Sequence, residues 1–422
     1  MKSTISLTLL ITLSINSVFS QKIVQWRGEN RDGIYNETGL LKEWPGNGPE
    51  LLWSSENIPK GFSSPAVTNN MIYLTGKNET EDIITAIDLK GNIQWQTPYG
   101  RAWDKTYSNS RGTPTIEDDR IYLYSGYGEA TCINAKNGDI VWSRKVHEEY
   151  GGLLGKWGIC ESLLLVDNKV FVTIGGNKTT MIALDKKTGE TIWLSKSIED
   201  RASYTSPILV ERGAKKIIIN VTDNNIFGVN AANGEILWKF DFGSYAGGRG
   251  GSNNHTNSPL YKEGLLYVSS GYDHKSVMLK LAEDGNSVEL EWIDEVLDIH
   301  HGGAVLVDGF IYGSNWEHNR MGTWVCLDWK TGKVKYDKEW INKGSIISAE
   351  GMLYCYEEKT GYLALVKANP EKFDIISSFQ IPLGTGPHWA HPVIKNGILY
   401  LRHENAIMAY DINNESVDIG NK

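Results

Sequence analysis

The sequence predicts an all-β fold, an eight-bladed propeller of four-stranded antiparallel blades, and three observations predict it. The first is an anchor that recurs eight times, 42 to 52 residues apart, a short polar turn placed seven residues before a second apolar run, with three extra residues in the Tyr204 copy. Phe62-Ser-Ser-Pro65 precedes Ile72-Tyr-Leu, Arg111-Gly-Thr-Pro114 precedes Ile121-Tyr-Leu, and Thr256-Asn-Ser-Pro259 precedes Leu266-Tyr-Val. Cys160-Glu-Ser-Leu163, Tyr204-Thr-Ser-Pro207, His301-Gly-Gly-Ala304, Gly344-Ser-Ile346 and His391-Pro392 complete the series. The second observation is a strand–turn–strand signature after the anchor, as in Ala183-Leu-Asp-Lys-Lys-Thr-Gly-Glu-Thr-Ile-Trp193. Its Asp bonds its own backbone two residues on, and its Gly supplies the positive φ of the turn. The third is a missing piece. The last copy ends at Ala409-Tyr-Asp-Ile412 without a fourth strand, whereas Leu51-Leu-Trp53 stands before the first anchor without a blade of its own. The N-terminal strand is therefore expected to complete the last blade, which pairs the edges that an open ring would expose.

Each repeat holds four short strands, A to D. Blades are expected at about 61–95, 111–142, 160–193, 204–238, 256–292, 301–336, 345–380, and 389–412 with 51–53. The Trp that closes most copies is an apolar plate suited to packing between neighbouring sheets. Length alone suggests two or three domains in 422 residues, but the repeat replaces that expectation with one ring, 51–412. Ahead of it, 1–20 reads as a secretory signal: Met1-Lys2, the apolar run Leu7 to Leu13, and the small-residue site Val18-Phe-Ser20. Cleavage near Gln21 and a secreted or periplasmic protein are expected, with 21–50 a leader packed on the ring and 413–422 a tail. The apolar run is too short to span a bilayer, and no later stretch looks transmembrane.

The net charge of −9 argues against a nucleic-acid surface. Cys132, Cys160, Cys326 and Cys355 are scattered and read as small buried side chains rather than a disulfide framework. The Gly-rich join 243–255 lacks a following helix pattern or Gly-Lys-Ser/Thr, so it does not read as a phosphate cradle.

Strand direction places the D–A and B–C joins on one face of the ring. All nine histidines fall in or beside such joins. His255, His300, His301, His388 and His391 lie just before anchors, and His147, His274, His318 and His403 lie in or beside joins. The same mouth holds Arg111, Trp157, Glu161, Tyr204, Asn257, Trp316, Arg320 and Trp389. Trp and Tyr stack on sugar faces, Arg grips a carboxylate, and His and Tyr move protons. The Ser-Pro and Thr-Pro anchors (Ser63, Ser64, Ser206, Ser258) are read as loop-shaping. His and Glu groups at one mouth can hold a divalent ion, but no short spacing such as His-x-x-x-His marks a site, so no metal is expected.

The Asp-x-x-x-Gly-x-x-x-Trp copies resemble those of propellers related to the pyrroloquinoline quinone (PQQ) enzymes, across nearly all of 51–412. The resemblance implies the eight-bladed ring. That superfamily includes quinone-dependent alcohol dehydrogenases and the propeller lipoprotein that assists outer-membrane protein assembly. The dehydrogenases use an adjacent Cys-Cys pair against the quinone and a calcium bound by a carboxylate and an Asn. This sequence has no Cys-Cys pair, and offers Glu161 at a strand A start but no matching Asp base. No Cys follows the expected cleavage site for a lipid anchor.

In residue types the mouth is also similar to secreted propeller enzymes that cleave uronic-acid polysaccharides by β-elimination. The expected function is therefore a carbohydrate-active lyase or dehydratase acting on an acidic oligosaccharide, monomeric and without a cofactor. Arg111 would hold the carboxylate, His301 or His391 would be the base, and Tyr204 or His388 the acid, with His300 beside them. Glu161, Trp157, His255, Asn257, Trp316, His318, Arg320 and Trp389 would bind substrate. Two other readings stand beside it: a quinone- or metal-dependent dehydrogenase using PQQ and calcium, and a non-catalytic binding or outer-membrane assembly propeller.

Overall fold

The structure, a computed structural model, describes residues 23–247 and 253–414. The expected signal segment 1–20, most of the 413–422 tail and part of the Gly-rich join lie outside the described residues. Eight antiparallel sheets form the ring, one per repeat. Each is a meander: Leu164–Val166, Lys169–Thr173, Met181–Asp185 and Thr191–Leu194 make blade 3, for example. Blade 8 is built from Val393–Lys395, Ile398–His403 and Ala406–Asp411, and its outer strand is Glu50–Ser55, paired Leu51 to Tyr410 and Trp53 to Ala409. The closure expected from the unpaired ends is thus present.

The repeat signature has a packing reason. In all eight blades the C–D register slips by one residue near the signature's end, as between Ile140 and Trp142 or Thr191 and Trp193. Such a bulge re-aims the following side chain. Five of the Trp plates then lie over the turn glycine of the next blade. A Cβ on Gly91, Gly138, Gly189, Gly234 or Gly332 would stand 2.5 to 2.7 Å from Trp53, Trp95, Trp142, Trp193 or Trp292, respectively. These glycines also sit at φ +68° to +89°. Only glycine meets both demands at once.

The anchors link neighbouring blades. The Ser64 amide donates to Thr113 Oγ1, Thr113 N to Ser162 Oγ, and Ser162 N to Ser206 Oγ, at 2.9 to 3.0 Å. His391 N donates to Ser64 Oγ across the closure at 3.1 Å, so blade 8 joins the same chain of bonds. Arg402, buried, reinforces that seam by donating to the carbonyls of Ser63, Thr75 and Pro59 in the blade 1 region and to Ser63 Oγ.

The N-terminal segment threads the central channel. Val24 bridges Ile116 in strand A of blade 2, and Ile34–Tyr35 adds to strand A of blade 7, Gly344–Ala349, as a fifth, parallel strand. Between these contacts Arg27 and Arg31 are buried at 3 % and 2 % exposure, both with positive φ. Arg31 donates to the carbonyls of Ser162, Leu163 and Pro207. Arg27 donates to those of Ile346 and Ala304. Strand A starts leave carbonyls pointing at the axis, and the guanidinium forks satisfy them. All four cysteines are free. No helix among the described residues is long and apolar enough to cross a membrane.

Candidate functional site

Above this plug the D–A and B–C joins enclose a basin of about 750 Å³. Its floor is Trp26 from the threaded segment, and its walls include Phe62, Tyr107, Arg111, Trp157, Tyr204, Tyr272, His300, His301, Glu358, Trp389 and His391. Of the residues expected at the mouth, Arg111, Trp157, Tyr204, His300, His301, Trp389 and His391 are brought together here.

The others are placed elsewhere. His388 is stacked on His403 with ring centroids 3.5 Å apart, and its Nδ1 meets Tyr356 Oη at 2.5 Å, behind the wall. His255 is fully buried between Phe242 and His274. Glu161 turns into blade 3, where its Oε1 accepts the Thr173 amide at 3.1 Å, and burial raises its pKa to about 8. Asn257 spends its amide on the Ile299 carbonyl and accepts from Gly303 N. Trp316 packs on Tyr272 from outside the basin. His318 and Arg320 are exposed, with Arg320 N donating to His318 Nδ1.

Within the basin, hydrogen bonds decide what each group offers. Arg111 is tied to the walls, donating to the carbonyls of Trp157 and Tyr107. His391 Nδ1 lies 2.8 Å from Arg27 Nη1, and its Nε2 lies 3.0 Å from the His301 carbonyl. A guanidinium only donates, so Nδ1 accepts and the proton sits on Nε2. His391 therefore has no free lone pair, and burial followed by the Arg27 charge holds it well below the usual histidine range. His300 and His301 are also held well below that range, by burial first and then by neighbouring charges, among them Lys343. Both are neutral near pH 7.

Two groups that sequence reasoning missed complete the wall. Lys343, 1 % exposed, reaches Glu358 Oε1 at 2.5 Å, and Glu358 Oε2 faces His301 Nε2 at 3.5 Å. Burial raises the Glu358 pKa against the pull of Lys343. One signal was available: Lys343 stands directly before an anchor, and Glu358 lies in a B–C join, both on the histidine-bearing face.

Glu161 and Asn257 face separate internal partners rather than one point in the basin, and Cys160 is the only cysteine lining it. These residues do not fit the quinone and calcium set.

Comparisons with known proteins define the class. The chain belongs to the family whose model, PQQ_2, carries the description outer membrane protein assembly factor BamB; residues 34–152 and 80–338 match it. Among individual relatives, BamB of Moranella endobia is 21 % identical over 277 residues. That alignment spans 62 % of this chain and 66 % of the relative, just under two thirds of its length. Among solved structures, BamB from Moraxella catarrhalis has a TM-score of 0.62 at 15 % identity, covering 86 % of this chain and 97 % of that one. Quinohemoprotein alcohol dehydrogenase from Comamonas testosteroni has a TM-score of 0.64 at 13 % identity, covering 93 % and 80 %. At such identities these likenesses establish the fold, the PQQ-like eight-bladed propeller. They also correct the function expected from residue types. The relatives whose names state a role are assembly factors and alcohol dehydrogenases, not carbon–oxygen lyases, so the uronate lyase or dehydratase and its acidic oligosaccharide substrate are set aside. The physical reason agrees in part: of the two expected bases, His391 has its lone pair engaged, and of the two expected acids, His388 lies outside the basin while Tyr204 lines it.

Proposed function

We propose that the protein is a non-catalytic binding propeller of the cell envelope, acting after removal of residues 1–20, that seats an acidic loop of a protein partner in the basin. The observation that carries this reading is the lining of the basin. Arg111 and the exposed Lys156 supply positive charge at the rim, while Phe62, Tyr107, Trp157 and Trp389 supply aromatic plates. Concave patches with aromatic and Arg anchors are what protein interfaces use. The threaded segment fills the axis below, so a partner is held on this face rather than passed through the ring. Membership of the assembly-factor family supports a protein as the partner. A quinone-dependent dehydrogenase is the less favoured reading, because Glu161 and Asn257 are engaged internally.

The test joins two measurements. A photoreactive residue replacing Tyr107, 61 % exposed, should crosslink to a protein in the envelope. In vitro, anisotropy titration of a labelled Asp/Glu-bearing peptide should show binding that its Lys-bearing counterpart lacks. Lys156→Glu combined with Arg111→Gln should weaken that binding at least about tenfold. No crosslink together with equal affinity for both peptides would overturn the proposal. So would oxidation of an alcohol, with an artificial electron acceptor, once quinone and calcium are added.

A further inference from the structure

The basin holds one group of side chains that partner recognition does not account for. One ligand atom each from His300, His301 and Glu358 all lie within 4.8 Å of one another. The two imidazoles face each other with ring centroids 4.1 Å apart. We infer that His300, His301 and Glu358 form a binding site for a divalent transition metal of the zinc class, with its remaining coordination position opening into the basin.

Three features carry the assignment. The first is unmet bonding. His300 Nδ1 and His301 Nε2 are buried polar atoms with no hydrogen-bond partner. A buried polar atom without a partner is costly, and a metal ion satisfies two such lone pairs at once. The second is orientation. His300 Nε2 lies 2.8 Å from Tyr272 Oη, which leaves Nδ1 as the free nitrogen and fixes the ring. Lys343 holds Glu358 by Oε1, so Oε2 is the oxygen turned to His301. Metal-binding imidazoles and carboxylates are held in this way by partners on their far atoms. The third is donor chemistry. Two neutral imidazoles and one carboxylate suit zinc, and three protein ligands with one open position are the pattern of accessible zinc sites.

The distances agree with a site that tightens on loading. Zinc–ligand bonds of about 2.0–2.2 Å place ligand atoms about 3.3 Å apart in a tetrahedron. The Glu358 Oε2 to His301 Nε2 distance, 3.5 Å, is already close to that. The ligand atoms lie within 4.8 Å of one another, so loading requires them to draw together by up to about 1.5 Å.

Lys343 decides the charge balance. It neutralises Glu358, so a dication enters a site without net negative charge, near Arg111. The open position is therefore expected to take an anionic oxygen ligand, such as a carboxylate. Removing the Lys343 charge should strengthen metal binding, whereas a purely structural Lys343–Glu358 ion pair predicts no metal binding to strengthen.

The experiment uses the full chain after signal removal, stripped with chelator and titrated with zinc chloride by calorimetry, followed by cobalt(II) for its visible spectrum. The inference does not rest on the partner reading, since metal alone is the probe. One equivalent should bind with a dissociation constant of about 10 µM or tighter. Glu358→Gln and His301→Ala should each weaken it about 10- to 100-fold. Lys343→Met should tighten it by about tenfold or more, a gain that misfolding would not produce. Bound cobalt should show four-coordinate visible bands without thiolate charge transfer, because Cys160 is not a ligand. Absence of a one-to-one event, equal affinity in Glu358→Gln and His301→Ala, or a thiolate band would each overturn the assignment.

Discussion

Arg31→Met tests whether the threaded segment holds the ring together. Arg31 is 2 % exposed and makes four side-chain bonds: to the Ser162, Leu163 and Pro207 carbonyls and, through Nε, to Gln25 Oε1 at 2.8 Å. At about 1.5–3 kcal/mol for each charge-assisted bond, the gross gain is roughly 6–12 kcal/mol. Against it stands burial of the charge, which lowers the Arg31 pKa well below the usual guanidinium range, to about 9. That corresponds to about 5 kcal/mol. The net contribution is thus a few kcal/mol, but the cost of substitution is larger than the net. Met fills the space without donating, and leaves three carbonyls of blades 3 and 4 without partners in a site too dry to replace them. The expected loss is about 3–5 kcal/mol. Equilibrium urea unfolding followed by the fluorescence of the fifteen Trp residues measures it. Arg31→Lys should fall between the two, since an ammonium cannot fork across three carbonyls. Hydrogen exchange should localise the effect to the amides of Val24 and Ser348, which bond Ile116 O and Gly33 O. A loss below about 1 kcal/mol for Arg31→Met would mean that water reaches those carbonyls and that the channel is not sealed by this side chain.

Three further outcomes follow from particular residues. Asp82 is buried with its Oδ2 on the Gly126 amide and its Oδ1 without a partner, and burial raises its pKa to about 7. A carboxyl whose folded pKa is raised stabilises fully below its unfolded value and loses that contribution as pH rises through the folded value. Asp82→Asn should therefore match wild type near pH 4 and exceed it at pH 8 by up to about 4 kcal/mol, read by urea unfolding at both pH values; equal stability at pH 8 would refute it. Gly189→Ala meets Trp142 at 2.7 Å in a backbone with φ +72°, so a loss of about 2–4 kcal/mol is expected from thermal or urea unfolding. Arg402→Met removes the donor that joins blades 8 and 1, and should cost about 3–5 kcal/mol while raising exchange at the Thr75 and His391 amides.

The ring was legible in the sequence because its constraints are local and repeated. A Trp over the next blade's turn glycine recurs at five junctions, and a Ser or Thr in the anchor bonds the neighbouring blade at several, so the same residues return at a regular spacing. Even the closure by Glu50–Ser55 could be read, since a strand without a blade and a blade without a strand stand at opposite ends of the described chain. The path of the threaded segment was not legible. Trp26-Arg-Gly-Glu-Asn-Arg-Asp-Gly has no period, and its two arginines look like surface charges until the carbonyls they meet are known. For the mouth, the face was readable from strand direction, but not which side chains turn inward. His388 and His255 sit at positions like those of His301 and His391, and only packing against His403 or Phe242 removes them from the basin. Lys343 and Glu358 were hidden because they come from different joins of one blade and gain meaning only as a pair.

The seam between Glu50–Ser55 and Ala406–Asp411 also sets an order of assembly. A chain made from its N-terminus synthesises the clasp and the axle first; the axle finds seats on blades 2 to 4 and then 7, but the clasp has none until the final hairpin exists. Blades 1 to 7 can form sheet by sheet as they emerge, each from local hairpins, but the ring cannot lock before residue 411 is available. The strand Glu50–Ser55, among the first made, is therefore the last one docked, and a nascent or truncated chain lacking the final forty residues would carry a row of seven blades with an open seam and an unpaired clasp.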